Sequence, residues 1–395
     1  MPIDASAMAR ESGRRLRLGM VGGGRGAFIG MVHRIAARLD DRYELVAGAL
    51  SADAERARAS AADLRIAPAR AYADYREMAR AEAARRDGIE VVAIVTPNHL
   101  HAPAAAAFLD AGIDVICDKP LSATLPEALE LVAKAREAGR IFVVTYNNTG
   151  HAMVRQAREM VRGGAVGAIR LVHVEYAQGW LSEPIETQGQ KQATWRLDPA
   201  RAGIGGCISD IGTHAFNLAA YVTGLALEEV CAELTHFVAS RKLDDNASVL
   251  LRYGGGARGV LWASQVAPGN DNALKLRVYG ERGGLEWAQE RPDELLVALH
   301  GSAQRRLVRG GPDLSAAAAR ATRLPAGHPE GYPEAFANIY ADAAELILAR
   351  REGRAPDPLA STVPTVIDGA QAMSFVAAAV RSAGNGGVWT AVAAV

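Results

Sequence analysis

Lys119, Asp210 and His214 are the side chains of this chain whose types and spacing could do chemistry. An amine, a carboxylate and an imidazole together can hold an oxygen, take its proton and stabilise the negative charge left behind. Asp210 and His214 lie in Gly205-Gly206-Cys207-Ile208-Ser209-Asp210-Ile211-Gly212-Thr213-His214, four residues apart, where a helix carries both on one face. Each also has a plainer role: Asp210 as a helix cap or first-turn acid, His214 as a buried helix histidine, Lys119 as a surface lysine. Lys119 is set apart by Cys117-Asp118-Lys119-Pro120, one residue past a strand end with a proline fixing its direction. A lysine partly desolvated near a cationic ring loses its charge more readily, which suits proton relay.

Upstream lies a glycine turn, Gly22-Gly23-Gly24-Arg25-Gly26-Ala27. As Gly22-x-Gly24-x-x-Ala27 it follows an apolar run and opens a helical pattern, the context of a dinucleotide fingerprint. Gly22 permits the tight turn, Gly24 lets backbone approach a pyrophosphate, and the small Ala27 lets helix pack on strand. Free N–H groups at the helix start would bind the phosphates. A glycine turn in some other βα unit is the plainer alternative. The second strand ends without a clear ribose-binding acid, because Asp53 comes late. Ser51 accepts a ribose hydroxyl or a phosphate, and Arg56 or Arg58 would reach a phosphate. NAD is preferred to NADP because no arginine immediately follows Ser51. Thr96-Pro97-Asn98-His99-Leu100-His101 follows another strand, and open parallel sheets bind ligands beyond the carboxyl ends of their strands. Pro97 and Asn98 there fit a ribose and nicotinamide, whereas His99 and His101 fit an exposed loop equally well.

These motifs need a scaffold, and the hydrophobic pattern supplies one. Strands are predicted at 16–21, 44–50, 91–96, 114–117 and 141–145, alternating with helices at 27–39, 54–63, 75–85, 102–111 and 125–138. Near-continuous apolar strands between helices mean a doubly wound parallel sheet, an α/β fold of Rossmann type. After Gly150 the texture changes. A helix at 153–161, a strand at 169–176 and a polar loop from Gln178 to Arg201 precede a helix at 210–222. Strands follow at 229–238, 247–253, 259–266 and 274–279, with turns at Gly254-Gly255-Gly256 and Gly283-Gly284, a mostly antiparallel sheet. Helices at 333–350 and 365–379 close the chain, and residues 302–330 are expected to be a mobile loop. The division expected is 1–148 for the dinucleotide and 149–395 for substrate and self-association, with the last helices able to pack back on the first domain.

The 395 residues suffice for two domains, and 49% hydrophobic with 22% charged residues suits a globular protein with real cores. Lys+Arg and Asp+Glu balance at 44 each, so no net field favours nucleic acid or an anionic membrane. Cys117, Cys207 and Cys231 show no metal-ligand spacing, which argues against a structural zinc and suits a reducing cytoplasm. No apolar run is long enough to span a membrane. Arg14-Arg15 resembles a twin-arginine export signal, but the apolar run after it leads straight into the glycine turn and reads better as a first strand.

Together the glycine turn, Thr96-Pro97-Asn98-His99-Leu100-His101, Asp118-Lys119-Pro120 and the Gly205–His214 motif resemble the Gfo/Idh/MocA oxidoreductases over nearly the whole chain. Asp118 stands where that family usually has Glu. The resemblance implies a Rossmann domain followed by an α/β domain with a large open antiparallel sheet. One face of that sheet covers the active site and the other makes dimer or tetramer contacts, so a cytoplasmic homo-oligomer is expected. It also implies that Lys119, Asp210 and His214 are catalytic. The expected cofactor contacts are Gly22, Gly24, Arg25, Gly26, Ala27, Phe28, Ser51, Thr96, Pro97, Asn98, His101, Asp118, Lys119, Pro120 and Asn147. The expected substrate contacts are Lys119, Tyr146, Asn148, Tyr176, Trp180, Trp195, Arg196, Asp210, His214 and His328, with Gln178, Lys191 and Tyr332 behind them.

On that basis a carbohydrate hydroxyl gives its proton to His214, near its working pKa at neutral pH, and its hydride to NAD or NADP. Lys119 stabilises the alkoxide, and Asp210 orients the imidazole or holds a neighbouring hydroxyl. The same triad would serve a glycosidase that oxidises C3 of a glycoside transiently, given a further base such as Tyr176 or His328. A non-catalytic cofactor-sensing regulator would not need the intact triad.

Overall fold

The computed structural model describes residues 14–395. The apolar run after Arg14-Arg15 forms β1 (Leu16–Gly22), central to a five-stranded sheet. With β2 (Tyr43–Ala49), β3 (Val91–Val95), β4 (Asp114–Cys117) and β5 (Phe142–Val144), the order is β2-β1-β3-β4-β5 and every pairing is parallel. Strands β3, β4 and β5 are buried along their whole length, as a sheet covered on both faces requires. From β1 the chain moves first to β2 on one side and then crosses to β3 on the other. The crevice beyond the carboxyl ends of β1 and β3 is therefore the topological switch point. Local caps set the connecting helices. Asp53 accepts the Arg56 N–H at 2.7 Å to start Ala54–Asp63, so it is a helix cap. Thr124 and Glu127 form a capping box on Leu125–Ala138, which ends at left-handed Gly139.

The second sheet has nine strands in the order β13-β12-β11-β10-β6-β9-β8-β7-β14. They are β6 (Ile169–Ala177), β7 (Leu227–Thr235), β8 (Asn246–Tyr253), β9 (Arg258–Ser264), β10 (Ala273–Gly280), β11 (Gly283–Ala288), β12 (Glu294–Leu299), β13 (Arg305–Val308) and β14 (Thr390–Ala391). All neighbours are antiparallel except β6 and β9. Period-two alternation buries Val172, Val174 and Tyr176 against the helix Thr213–Thr223 and leaves Leu171, Leu250, Val260 and Tyr279 exposed on the opposite face.

Three expectations need correcting. Gly283-Gly284 begins strand β11; a Cβ on Gly283 would lie 2.3 Å from Ala298 O, so the glycines serve close strand pairing. Residues 302–330 are no loose loop, since they contain β13 and the helix Ala316–Arg320. Buried Arg309 binds Asp293 at 2.7 Å, Glu330 at 2.8 Å and the Leu324 and His328 carbonyls. The stretch 178–201 contains two short helices, Lys191–Arg196 and Pro199–Ala202.

The helix Tyr332–Glu352 packs back on Phe28–Leu39 and the parallel sheet through Phe336, Ile339, Tyr340 and Ala343, and Val366–Gly384 packs on Leu125–Ala138 and β7. Among the described residues no helix is long and apolar enough to cross a membrane.

Candidate active site

Lys119 leaves the end of β4 and crosses to the segment between β6 and β7 of the second sheet. Its Nζ donates to Asp210 Oδ1 at 2.8 Å and to the Asp210 carbonyl at 2.7 Å. Asp210 Oδ2 accepts from Gln265 Nε2 at 2.9 Å and lies 3.3 Å from Arg196 Nε. Burial alone would raise the Asp210 pKa, but the Lys119 and Arg196 charges outweigh it and hold the carboxylate ionised well below the usual range. Both its oxygens are engaged by the protein. Asp210 therefore anchors Lys119, and no hydrogen bond joins it to His214, contrary to the expected orienting role. The Lys119 ammonium has three N–H donors, and two are spent on Asp210.

Asp210 lies in a π-helical turn, Ile208–Gly212, that runs into the helix Thr213–Thr223 carrying His214. Such wide turns recur at functional sites. The turn is anchored by buried Asp244, whose Oδ1 and Oδ2 accept the Gly206 and Ile208 N–H groups, each at 2.7 Å. A Cβ on Gly206 would lie 2.2 Å from the Asp244 carbonyl, which explains the glycine there. Burial pushes the Asp244 pKa up to about 6 despite those two hydrogen bonds.

The His214 imidazole stands edge-on to Tyr146 and Tyr176, 6.0 Å from each ring. Its Nδ1 is buried without a partner. Burial and then the Lys119 ammonium lower its pKa to about 3, so it is a neutral imidazole at neutral pH rather than a group near its titration midpoint. Burial pushes the Tyr176 phenol up to about 12.

From Asp210 a continuous ladder of neutral polar side chains crosses the inner face of the second sheet. Gln265 reaches Gln178 at 3.5 Å; Gln178 accepts from Trp180 at 2.9 Å and donates to Asn272 at 2.8 Å. Tyr176 joins Asn272 at 3.2 Å, Gln289 donates to Tyr176 at 3.4 Å, and Asn148 donates to Gln289 at 2.6 Å. Gln265, Asn272 and Gln289 carry no sequence motif; only strand register brings them together. Arg196 lies 4.3 Å over the Trp195 ring and bonds Gln192, which holds its guanidinium beside Asp210.

On the opposite side, Gly22, Gly23 and Gly26 adopt positive φ values of 79°, 72° and 77°. Gly30 brings the helix against the turn, since a Cβ there would meet Gly23 Cα at 2.4 Å. A Cβ on Gly24 would meet Leu50 O and Ser60 Oγ at 2.7 Å, so Gly24 keeps the turn against the second strand. Arg25, Gly26, Ala27 and Phe28 line an open cavity of about 430 Å³ there, Phe28 being 60% exposed. Ser51 Oγ accepts the Asp53 N–H at 3.1 Å.

In the 96–101 loop, Asn98 is turned away and donates to Ala202 O at 3.1 Å. His101 is buried, with its nitrogens 2.7 Å from Pro120 O and 2.8 Å from Thr96 O. A neutral imidazole can donate to only one of these carbonyls, and burial lowers its pKa, so His101 ties two loops together and does not face a ligand. His328 is exposed, and its hydrogen bonds are made by its backbone: the N–H donates to Pro325 O at 3.2 Å and the carbonyl accepts from Arg309. Tyr332 is 39% exposed and stands edge-on to Phe336 at 5.0 Å; partial burial of its phenol raises the pKa, and the charges of Asp118 and Asp210 add to the effect.

Several buried polar atoms without a partner belong to the segments that carry the expected site residues: Thr96 Oγ1, His99 Nδ1, Tyr146 Oη, Asn147 Nδ2, Asn148 Oδ1 and His214 Nδ1. Native proteins rarely leave such atoms unsatisfied except where a ligand binds. The glycine cradle and these atoms fit a dinucleotide with a polyhydroxylated molecule beside it.

Comparison with known proteins agrees. Residues 16–146 match the oxidoreductase family with an NAD-binding Rossmann fold, and residues 154–286 match the GFO/IDH/MocA C-terminal domain. An oxidoreductase structure from Sinorhizobium meliloti is 52% identical, spans 95% of this chain and 99% of its own, and superposes with a TM-score of 0.87. An inositol dehydrogenase homologue from Azotobacter vinelandii, solved with NADH and myo-inositol, is 38% identical over 96% of this chain and 98% of its own, with a TM-score of 0.88. Levoglucosan dehydrogenase of Pseudarthrobacter phenanthrenivorans is 28% identical over 72% of this chain and 77% of its own.

Proposed function

Because this chain belongs to the Gfo/Idh/MocA oxidoreductase family, we propose that it is an NAD-dependent dehydrogenase that oxidises a secondary hydroxyl of an uncharged sugar or cyclitol. The observation that carries this reading is the placement of Lys119, Asp210 and His214 at one point facing a wall of neutral amides. Gln178, Gln265, Asn272, Gln289 and Asn148 offer donors and acceptors matched to hydroxyls. Arg196 and Lys119 are already paired with Asp210 and leave little for a phosphorylated or acidic sugar.

Gly22, Gly24, Arg25, Gly26, Ala27 and Phe28 would hold the pyrophosphate at the start of the helix Phe28–Leu39, with Ser51 at a ribose and Thr96, Pro97 and Asn147 toward the nicotinamide. When bound there, NAD supplies the hydride acceptor. The free third N–H of Lys119 meets the substrate oxygen and stabilises its developing negative charge. His214, neutral at working pH, takes the hydroxyl proton; the flanking Tyr146 and Tyr176 rings keep water from it. Asp210 holds Lys119 in place and offsets the positive charge gained at His214. The same reading keeps residues 1–148 for the cofactor and 149–395 for the substrate, and uses the exposed sheet face with Leu171, Leu250, Val260 and Tyr279 for self-association.

A transient-oxidation glycosidase is less favoured, because its further base would be Tyr176, whose phenol is pushed up to about 12, or His328, which is exposed and whose side chain makes no hydrogen bond or ion pair in the structure. The test is nicotinamide reduction with NAD and, separately, NADP across inositols, anhydrosugars, free sugars and glycosides, with aglycone release followed in parallel. Net reduction with NAD on a neutral polyol is expected. Aglycone release without net reduction would replace the dehydrogenase reading.

A further inference from the structure

His33 is fully buried on the helix Phe28–Leu39 and plays no part in the chemistry above. Its ring is wedged 5.1 Å from Phe336 and 5.8 Å from Tyr340, both on the C-terminal helix Tyr332–Glu352. Nδ1 is 2.8 Å from the Tyr340 hydroxyl. Because that phenol has no other acceptor in the structure, it donates to Nδ1, which leaves the hydrogen of His33 on Nε2. Nε2 has no hydrogen-bond partner and lies 3.7 Å from Asp118 Oδ1. That distance is too long for a hydrogen bond, so the contact is between a dipole and a nearly buried charge, where the low dielectric makes it count. Asp118 Oδ1 also accepts the Thr145 hydroxyl and the Lys119 backbone N–H, each at 2.9 Å. Burial disfavours the Asp118 carboxylate, yet the positive charge of the neighbouring Lys119 helps to hold it ionised.

We propose that His33 is a positioning residue: locked by Tyr340 at one nitrogen, it presents the other to Asp118 and so fixes the turn from which Lys119 reaches Asp210. Asp118 is the hinge of this chain of contacts. One of its oxygens holds the Lys119 backbone, and an ionised, oriented carboxylate holds it better than one free to turn toward water. The helix that starts at the glycine turn is thereby coupled through its second turn to the aim of the lysine. The inference rests on the reading that Lys119 serves the substrate oxygen.

The experiment compares His33→Leu, His33→Gln and Tyr340→Phe with wild type by two readouts. The first is steady-state kinetics with NAD and the best neutral polyol. The second is the rate of acetic anhydride labelling of the Lys119 amine in the protein without NAD, located by peptide mass. His33→Leu should lower kcat by about tenfold or more, with KM and the NAD dissociation constant within about twofold, and should raise Lys119 labelling several-fold. His33→Gln keeps an N–H toward Asp118 and should recover both values to within about threefold of wild type. Tyr340→Phe should move both the same way by a smaller factor, and it remains informative if His33→Leu does not fold. Equal losses in the leucine and glutamine variants would reduce His33 to packing and overturn the proposal. So would wild-type kcat and labelling in Tyr340→Phe together with His33→Leu. If wild type turns over no polyol, the functional reading fails, while the labelling comparison still decides the role of His33.

Discussion

Asp244→Asn is the substitution that best separates what holds the active site from what works in it. The carboxylate is buried and pushed up to about 6 from 3.8. That shift corresponds to about 3 kcal/mol of pH-dependent stability. The folded-state value lies above the unfolded one. The stabilisation from this group is therefore fully present below pH about 4 and is lost as pH rises through about 6. An asparagine has no such titration. For 395 residues unfolding as one unit, an entropy of about 0.8 kcal/mol/K converts the change to about 4 °C in Tm. The difference in Tm between variant and wild type should thus move about 4 °C in favour of the variant between pH 4 and pH 7.5. Superimposed is a fixed loss of about 1–3 kcal/mol, because the amide NH2 of asparagine would face one of the two backbone N–H groups that the carboxylate now accepts. Turnover should fall by about tenfold to a hundredfold, because the turn bearing Asp210 and His214 loses half its anchor. Thermal unfolding at several pH values with parallel kinetics reads all three effects. A Tm difference that is flat with pH, or wild-type turnover in the variant, would show that Asp244 does not anchor the turn as a buried carboxylate.

Lys119→Ala and His214→Ala should each keep NAD affinity, read by fluorescence titration, and lose about a hundredfold or more in kcat; near-wild-type turnover in both would remove them from the chemistry. Since the His214 pKa is lowered to about 3, the imidazole stays neutral as pH falls from 8 to 5. The rate should show no acid limb from this group in that interval, and a limb near 6.5 that disappears in His214→Gln would contradict it. Gly24→Ala places a Cβ 2.7 Å from Leu50 O and Ser60 Oγ, so isothermal titration should show NAD bound at least about tenfold more weakly, with folding retained. Unchanged affinity would mean that the turn gives way without disturbing the phosphate cradle.

The parts of the fold legible in the sequence were those written in local pattern. Apolar runs bounded by glycine gave β1, β3 and β4 within a residue or two, and Lys119 and the Asp210–His214 pair could be located because each sits at the end of such an element. Asp244 could not be found that way. It lies far along the chain from the turn it anchors and has no motif around it, and its role exists only because β8 returns its loop to Gly206. Gln265, Asn272 and Gln289 are likewise ordinary strand-end amides until the β6–β9, β6–β10 and β10–β11 pairings join them in one ladder with Gln178 and Tyr176. The glycines were the least legible: Gly283-Gly284 reads as a turn but permits close strand pairing, and Gly30, outside any motif, sets the helix against the glycine turn. His328 is expected among the substrate contacts, but the Arg309 network holds its backbone and leaves its side chain at the surface.

The Lys119–Asp210 pair is hard to explain by stability alone. Side chains 14% and 18% exposed lose much of their hydration, and at such sites attraction roughly repays desolvation, so a well-packed apolar pair would serve the fold as well. The pair nevertheless spans the seam between the two sheets, beside other polar crossings: Asn98 to Ala202 O, and Asn148 to Gln289. Gly203, whose Cβ would lie 2.3 Å from Ala123 O, brings the two backbones into contact at the same seam. Each crossing fixes how one sheet sits on the other, and two of them leave a polar atom or a donor unspent. Asn148 keeps Oδ1 free, and Lys119 keeps its third N–H. An interface selected for adhesion would bury such groups or omit them. One that spends polar contacts on alignment and leaves donors in reserve has the composition expected where a third molecule, rich in hydroxyls, completes the seam.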